Sequence, residues 1–495
     1  MITLLETEMK TEEGRGVGRS FWPLLATNFF GTVNDNFLKT LAGFAALGWL
    51  ADGRMQAACM GTVAGALVLP YILFSPLADR LTARFPKRRI VQLAKWAELP
   101  IVGVGIVGFM THSITLTVGS VLLMGLQSSL YSPSKYALVR DVGGEERIST
   151  GMGWMEGMAF LGVLAGTIAA AFAVDRAPEG VWYGCLGLFA AAGLAASHCI
   201  RADEEPNRTS HPANPWRYLR EAHREAKRLP GLNSVIFALG AFWWAAAMLQ
   251  MGLLVYGRQV LGLDATQTGG MLCGAAAGIV AGQVVAGFID RRHFLLGAGL
   301  WTGWGAAGLL LALFFVPMGP KAFSAVLAVL AFDFGLFKLP LDAEIQKTAK
   351  GPLLNTMLAY SNQVSFLFML AASGCYALTG WLFGPRAFLA LLGGVMAVVP
   401  VAFVLTYRKA LLFTGRQIFR RRYDVRTEGL EELLAERGEA PWLVLPNHPA
   451  MVDPMLVGTE FWRKPPRPLA DERFFREGVL APLVLRTLQA VSNMA

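Results

Sequence analysis

The sequence predicts an all-α polytopic membrane protein, with twelve transmembrane helices in two six-helix bundles followed by a partial α/β domain in the cytoplasm. Three observations carry that prediction. Of the 495 residues, 54% are hydrophobic and only 16% charged, with a mean hydropathy of +0.45, which sets the chain apart from soluble globular proteins. About a dozen apolar runs are long enough to cross a hydrocarbon layer of roughly 30 Å. The basic residues gather in alternate connecting loops, the distribution expected of a multi-pass chain.

The elements follow in order. Residues 1–19 form a polar N-terminal arm without the pattern of a cleavable leader, so the first apolar run is expected to stay as a helix. Apolar runs lie near 21–50, 56–78, 90–110, 114–140, 150–174 and 180–200, giving a first bundle over 20–200. A polar linker over 201–230 separates them from runs near 232–256, 266–290, 294–316, 321–346, 353–383 and 385–407, a second bundle over 231–409. The tail covers 410–495. Arginines and lysines crowd the N-terminal arm, the second loop, the linker and the segment after the last run, which places both termini in the cytoplasm. The net charge of +9 is therefore a topology signal, and no nucleic-acid partner is implied. Within the linker, Trp216, Tyr218, Leu219, Ala222 and Ala226 alternate with Arg217, Arg220, Arg224 and Lys227, a pattern suited to a short helix lying on a lipid surface. The five cysteines have no metal-ligand or redox spacing and read as packing thiols. No metal and no cofactor are implied.

The halves echo each other. SPLADR over 75–80 follows the second run and GFIDRR over 287–292 follows the eighth, which makes Asp79, Arg80, Asp290 and Arg291 candidate gating or structural residues. The competing reading is a helix end whose arginines meet the helix dipole and anionic lipid. The acid–base pair after the second helix resembles the loop motif of the major facilitator superfamily, with Ser75 in place of the first glycine and Phe85-Pro86 intruding.

Several ionisable residues interrupt the apolar runs. Asp35 stands in NDN on the first run with Lys39 four residues on, Lys95 and Glu98 lie three apart on the third, Lys135 is on the fourth and Glu156 on the fifth. An ionised side chain at bilayer depth costs about 2.5–3.5 kcal/mol on insertion scales unless it meets a partner or a polar cavity. Asp35 with Lys39, and Lys95 with Glu98, have the spacing of pairs that neutralise each other on one helix face. Acidic and basic groups on one cavity would instead suit a zwitterionic ligand, carboxylates meeting an ammonium and a lysine a phosphate. NDN, YSPSKY over 131–136, WMEGMAF over 154–160 and LPLDAEIQ over 339–346 resemble the bacterial lysophospholipid transporters, a branch of that superfamily, over roughly residues 20–407. The resemblance implies uptake of lysophospholipids such as lysophosphatidylethanolamine from the outer to the cytoplasmic leaflet of the bacterial inner membrane, by rocking of the two bundles. It maps headgroup contacts onto Asp35, Lys135 and Glu156; Asn36 beside Asp35 and Asn362 on the eleventh run complete the candidate substrate-binding set. Relatives carry a basic residue on the seventh helix where this chain has the neutral Gln250.

The tail reads differently. PWLVLP over 441–446 suits a short buried strand and is followed by Asn447, His448 and, five positions after the histidine, Asp453. A histidine oriented by a carboxylate can take a proton from an alcohol. This block resembles the N-H-x4-D motif of glycerolipid acyltransferases of the 1-acyl-glycerol-3-phosphate type, which implies His448 and Asp453 as catalytic residues and acyl carrier protein or acyl-CoA as donor. The later blocks of that family are missing, so the domain is expected to be partial. The combination implies import of a lysophospholipid beside an enzyme that restores its second chain. Two other readings remain open: a proton-coupled exporter of drugs or other amphiphiles, and an acyltransferase that uses the helices as an anchor.

Overall fold

The computed structural model describes residues 18–143, 148–202, 204, 214–290, 295–349, 352–437, 443–445, 453–462, 466–471, 473 and 480–493. Apolar segments of the predicted length become helices: α1 Gly18–Trp49, α2 Gly53–Arg84, α3 Lys87–Met110, α4 Ile114–Gly143, α5 Ile148–Arg176 and α6 Glu179–His198. The linker forms the short helix α7, Pro215–Arg228. The second half supplies α8 Leu232–Gln259, α9 Ala265–Asp290, α10 Leu295–Phe315, α11 Pro320–Thr348, α12 Pro352–Phe383 and α13 Ala387–Thr406. Ten of the described helices are long and apolar enough to cross a membrane. Side chains such as Leu188, Phe288 and Val398 stand more than 60% exposed, as helices facing hydrocarbon require.

Packing divides the chain into two compact units. The first comprises Met1–Ala222, Trp243–Ala276 and Asn362–Phe388. Inside it α1 packs along α5 and α6, and α2 along α4. Glycine permits that approach: a Cβ on Gly125 of α4 would run into the Leu67 carbonyl of α2, and one on Gly166 of α5 into the Val33 carbonyl of α1. Phe37, Leu38 and Leu41 of α1 are buried against Val102, Phe109, Met124 and Leu186. The start of α3 is held by Glu204, whose carboxylate accepts from the Lys87 and Arg88 backbone amides at 2.5 and 3.0 Å, satisfying donors that a helix N-terminus leaves open.

The second unit comprises His223–Phe242, Ala277–Ser361 and Leu389–Ala495. Its α10 packs on α11 and on α14, Arg408–Arg422, which continues the chain beyond α13. The tail adds α15 Leu430–Arg437, α16 Asp453–Glu460, α17 Leu480–Thr487 and two three-residue strands, β1 Leu469–Asp471 and β2 Val491–Asn493, paired in parallel. The tail is pinned to α14 at Glu460, whose carboxylate accepts from Arg416 Nε at 3.0 Å and Arg420 Nε at 2.9 Å. Phe413 meets Trp462 edge to face, and the Thr487 hydroxyl donates to the Leu405 carbonyl at 2.6 Å.

Some local expectations change. Residues 443–445 carry no strand, and Leu443 and Leu445 are 80% and 83% exposed; no described strand pairs with them, and an apolar run without a partner gains nothing from extended structure. SPLADR belongs to α2 itself, which continues to Arg84, because helical hydrogen bonds persist past the apolar run. Cys199 is exposed at the end of α6 instead of packed, whereas Cys59 is buried.

Candidate functional site

The polar residues of α1 divide between two neighbouring helices. Asn34 points at α3, where its side-chain amide donates to Glu98 Oε1 at 2.6 Å. The other Glu98 oxygen accepts from Lys95 Nζ at 2.6 Å, and both side chains of this pair are 1% exposed. Lys95 Nζ also lies 5.4 Å above the Tyr131 ring. Both charges of this group are matched, with a bridging amide and an aromatic face beside them, while the Asn34 side-chain oxygen is buried without a hydrogen-bond partner among the described residues.

Asp35 behaves differently. Its Oδ2 accepts from the Ser128 hydroxyl of α4 at 2.8 Å, while its Oδ1 is buried without a hydrogen-bond partner among the described residues. The four-residue spacing to Lys39 does not produce an ion pair: the Lys39 ammonium turns to Gln250 Oε1 of α8, at 3.4 Å. Tyr71 of α2 stacks on Phe366 of α12 with ring centroids 4.6 Å apart. A carboxylate with an open oxygen, an ammonium and two aromatic rings are thus held within the first unit by α1, α2, α8 and α12.

The other candidates fall as follows. Lys135 Nζ donates to Asn28 Oδ1 at 2.9 Å and lies 5.3 and 5.2 Å from the Tyr131 and Tyr136 rings; Asn28 is in turn anchored on the Met155 carbonyl of α5 at 2.8 Å. Glu156 is on α5, its side chain outside the described residues. Asn36 is buried and returns its amide to the Thr32 carbonyl of its own helix at 2.9 Å. Asn362 is exposed on α12. Arg80 is exposed at the end of α2, and Asp290 closes α9; the side chains of Asp79 and Asp290, and the whole of Arg291, lie outside the described residues. His448 also lies outside them, and Asp453 opens α16. Among the described residues no group of histidine, cysteine and acidic side chains could hold a metal.

Sequence reasoning did not single out Asn28, Tyr71, Ser128 or Lys39 as site residues. The first three are ordinary in an apolar helix. The partner of Lys39 is 211 residues away along the chain, which spacing on one helix cannot reveal. The basic group absent from α8 at Gln250 is supplied there by α1.

A model of the Major Facilitator Superfamily matches residues 22–341. The lysophospholipid transporter LplT of Cronobacter sakazakii is 24% identical over 384 residues, 75% of this chain and 91% of that protein. The protein of the same name from Photorhabdus laumondii is 24% identical over 73% of this chain and 88% of its own length. Among solved structures, a bacterial homologue of the iron transporter ferroportin in an inward-facing state superposes with a TM-score of 0.57 at 14% identity, covering 79% of this chain and 99% of its own. The human organic anion transporter MFSD10 gives the same score at 16% identity, over 79% and 100%. These two likenesses concern the fold.

Proposed function

The chain belongs to the Major Facilitator Superfamily, and from that premise we propose that it carries lysophospholipids from the outer to the cytoplasmic leaflet of a bacterial inner membrane. The observation that supports this reading most is the state of the α1 charges: Asp35 keeps an unpartnered buried oxygen, and Lys39 faces an amide instead of Asp35. A zwitterionic headgroup completes both, its ammonium on Asp35 and its phosphate on Lys39, each by a charge-assisted hydrogen bond. Lys135 extends the positive field toward the phosphate, with Asn28 and Tyr131 holding it in place. Tyr71 and Phe366 offer an aromatic wall to the glycerol and the start of the acyl chain. Likeness to proteins named lysophospholipid transporter over most of the chain supports the substrate class.

In this reading the protein spans the bilayer twelve times, by alternating access, with both termini cytoplasmic. The α1 segment is too polar to span by composition alone, and burying its polar residues against α3 and α4 makes it viable. The tail, pinned to α14 through Glu460, would belong to an acyltransferase that His448 and Asp453 serve and that takes the imported lipid as substrate. Proximity then replaces free diffusion of the intermediate. Gating at Asp79–Arg80 and Asp290–Arg291 completes the scheme.

Uptake of radiolabelled lysophosphatidylethanolamine into proteoliposomes tests the reading, with the full chain and a variant ending before Thr414 run in parallel. Saturable uptake by both is expected. No uptake by either would leave the anchor reading in its place, and efflux driven by a proton gradient without lysolipid uptake would favour an exporter.

A further inference from the structure

At the end of the first unit opposite the start of α1, the α1–α2 turn, the end of α8 and the α12–α13 turn line a cavity of about 340 Å³. Its lining includes Asp52, Arg54, Gln259, Tyr376 and Trp381. Three features show unsatisfied binding capacity. The Tyr376 side chain is 1% exposed and its hydroxyl has no hydrogen-bond partner among the described residues. Arg54 forms no side-chain hydrogen bond or ion pair among them; Asp52 meets only its backbone amide, at 2.9 Å, as the cap of α2. The rim is apolar and open: Trp381, Leu382 and Phe383 are 43%, 55% and 74% exposed at the end of α12.

A guanidinium and a buried hydroxyl without partners among the described residues, beside an aromatic, aliphatic lip, form an amphipathic site. In the lysophospholipid reading the lip, at the end of α12, lies at the membrane surface, the level that tryptophan favours. Gln259, cross-linked to Gln56 by a side-chain hydrogen bond, gives the wall a fixed polar floor. The volume lies in the range of small-ligand pockets, about 300–1,000 Å³. We propose that this cavity is a docking subsite, separate from Asp35 and Lys39, for the phosphate-bearing headgroup of a single-chain amphiphile arriving from the outer leaflet. Arg54 takes the phosphate, Tyr376 donates to a neighbouring oxygen, and the acyl chain lies against Trp381–Phe383. The inference rests on the lysophospholipid reading and adds a first stop before the α1 site.

The test uses the full chain in proteoliposomes and a lysophosphatidylethanolamine with a diazirine on its acyl chain. After illumination, labelled peptides are mapped by mass spectrometry. Labelling of the 376–386 segment is expected, reduced at least fivefold in Arg54→Ala and restored in part in Arg54→Lys. Glycerophosphoethanolamine, which has the headgroup but no chain, is expected to compete only at far higher concentration; equal competition would show a free-phosphate site and overturn the amphiphile assignment. Trp381→Ala, a change on the exposed rim, should raise the KM for uptake severalfold without changing kcat. Labelling near Asp35 with none at 376–386, or unchanged labelling in Arg54→Ala, overturns the subsite and leaves the transport reading standing. No labelling anywhere, with no uptake, overturns both.

Discussion

Asn34 and Asp35 are adjacent in sequence, yet they serve two regions of opposite character. On the α3 side, Lys95 and Glu98 match their charges at 2.6 Å, with the Asn34 amide donating to the same carboxylate. On the α4 and α8 side, Asp35 and Lys39 share a helix but stay apart, one with an open oxygen and the other against an amide. Buried charge alone therefore does not mark a binding site. A matched pair is a structural fixture, whereas in the proposed reading opposite charges held near one another without pairing await a ligand that carries both signs. Removing one member of the first should cost stability; removing one of the second should cost transport.

That contrast can be broken by substitution. Asp35→Asn keeps the shape and removes the charge; uptake of lysophosphatidylethanolamine should fall roughly tenfold to a hundredfold, since a hydrogen bond to a charged group contributes about 1.5–3 kcal/mol. Thermal unfolding in detergent should change little. Lys95→Met should do the reverse. It strands Glu98 in the interior, and losing one partner of a buried pair costs about 3–5 kcal/mol, so the melting temperature should drop sharply while the KM of surviving protein stays near wild type. The double change Lys95→Met with Glu98→Leu should recover much of that stability, as no charge is left alone.

Lys39→Gln sharpens the comparison at smaller scale. Its ammonium is assigned to phosphate, so KM should rise about tenfold, the equivalent of about 1.4 kcal/mol, with a larger effect on phosphate-bearing lysolipids than on a single-chain amine. Equal effects on both would detach Lys39 from the phosphate.

The smallest expected effect concerns the tail. Burial works to raise the Glu460 carboxyl, but hydrogen bonds from Arg420 and Arg416 outweigh it and hold the group below its usual value of 4.5. A carboxyl lowered on folding stabilises fully above its unfolded value and loses that contribution as pH falls through the lowered one. Both arginines are partly exposed, so solvent screening keeps the effect within about 1 kcal/mol. Amide exchange in α16 should therefore rise severalfold on acidification below pH 4.5, or at neutral pH in Glu460→Gln. If acid leaves exchange in α16 unchanged, the two arginines do not hold the tail.

Much of this organisation is legible in the residues themselves. Helix positions follow from apolar length, and the linker pattern yields α7 with Tyr218, Ala222 and Ala226 buried. Lys95 and Glu98, three apart, pair as their spacing allows. The limits are physical. Four-residue spacing places Asp35 and Lys39 on one face but cannot weigh an acceptor arriving from α8, so their mutual neutralisation is not what forms. Ser128 and Tyr71 join the site through packing of α2 and α4 on α1, and neither carries a charge that would betray it. Pro76 and the basic residues after it read as a loop, yet α2 carries them to Arg84, since a proline in an already formed helix bends it more readily than it ends it. Leu443 and Leu445 read as strand because local β-propensity cannot say whether a partner strand exists.

The central claim is that Asp35 and Lys39 stay apart to receive a headgroup of both signs. The most direct measurement is competitive uptake in proteoliposomes of lysolipids that differ only in headgroup, by wild type and Asp35→Asn. The account predicts that wild type prefers a zwitterionic headgroup over one carrying phosphate alone, and that Asp35→Asn erases the preference. Equal uptake of the two headgroups by wild type, or an unchanged preference in Asp35→Asn, would contradict it.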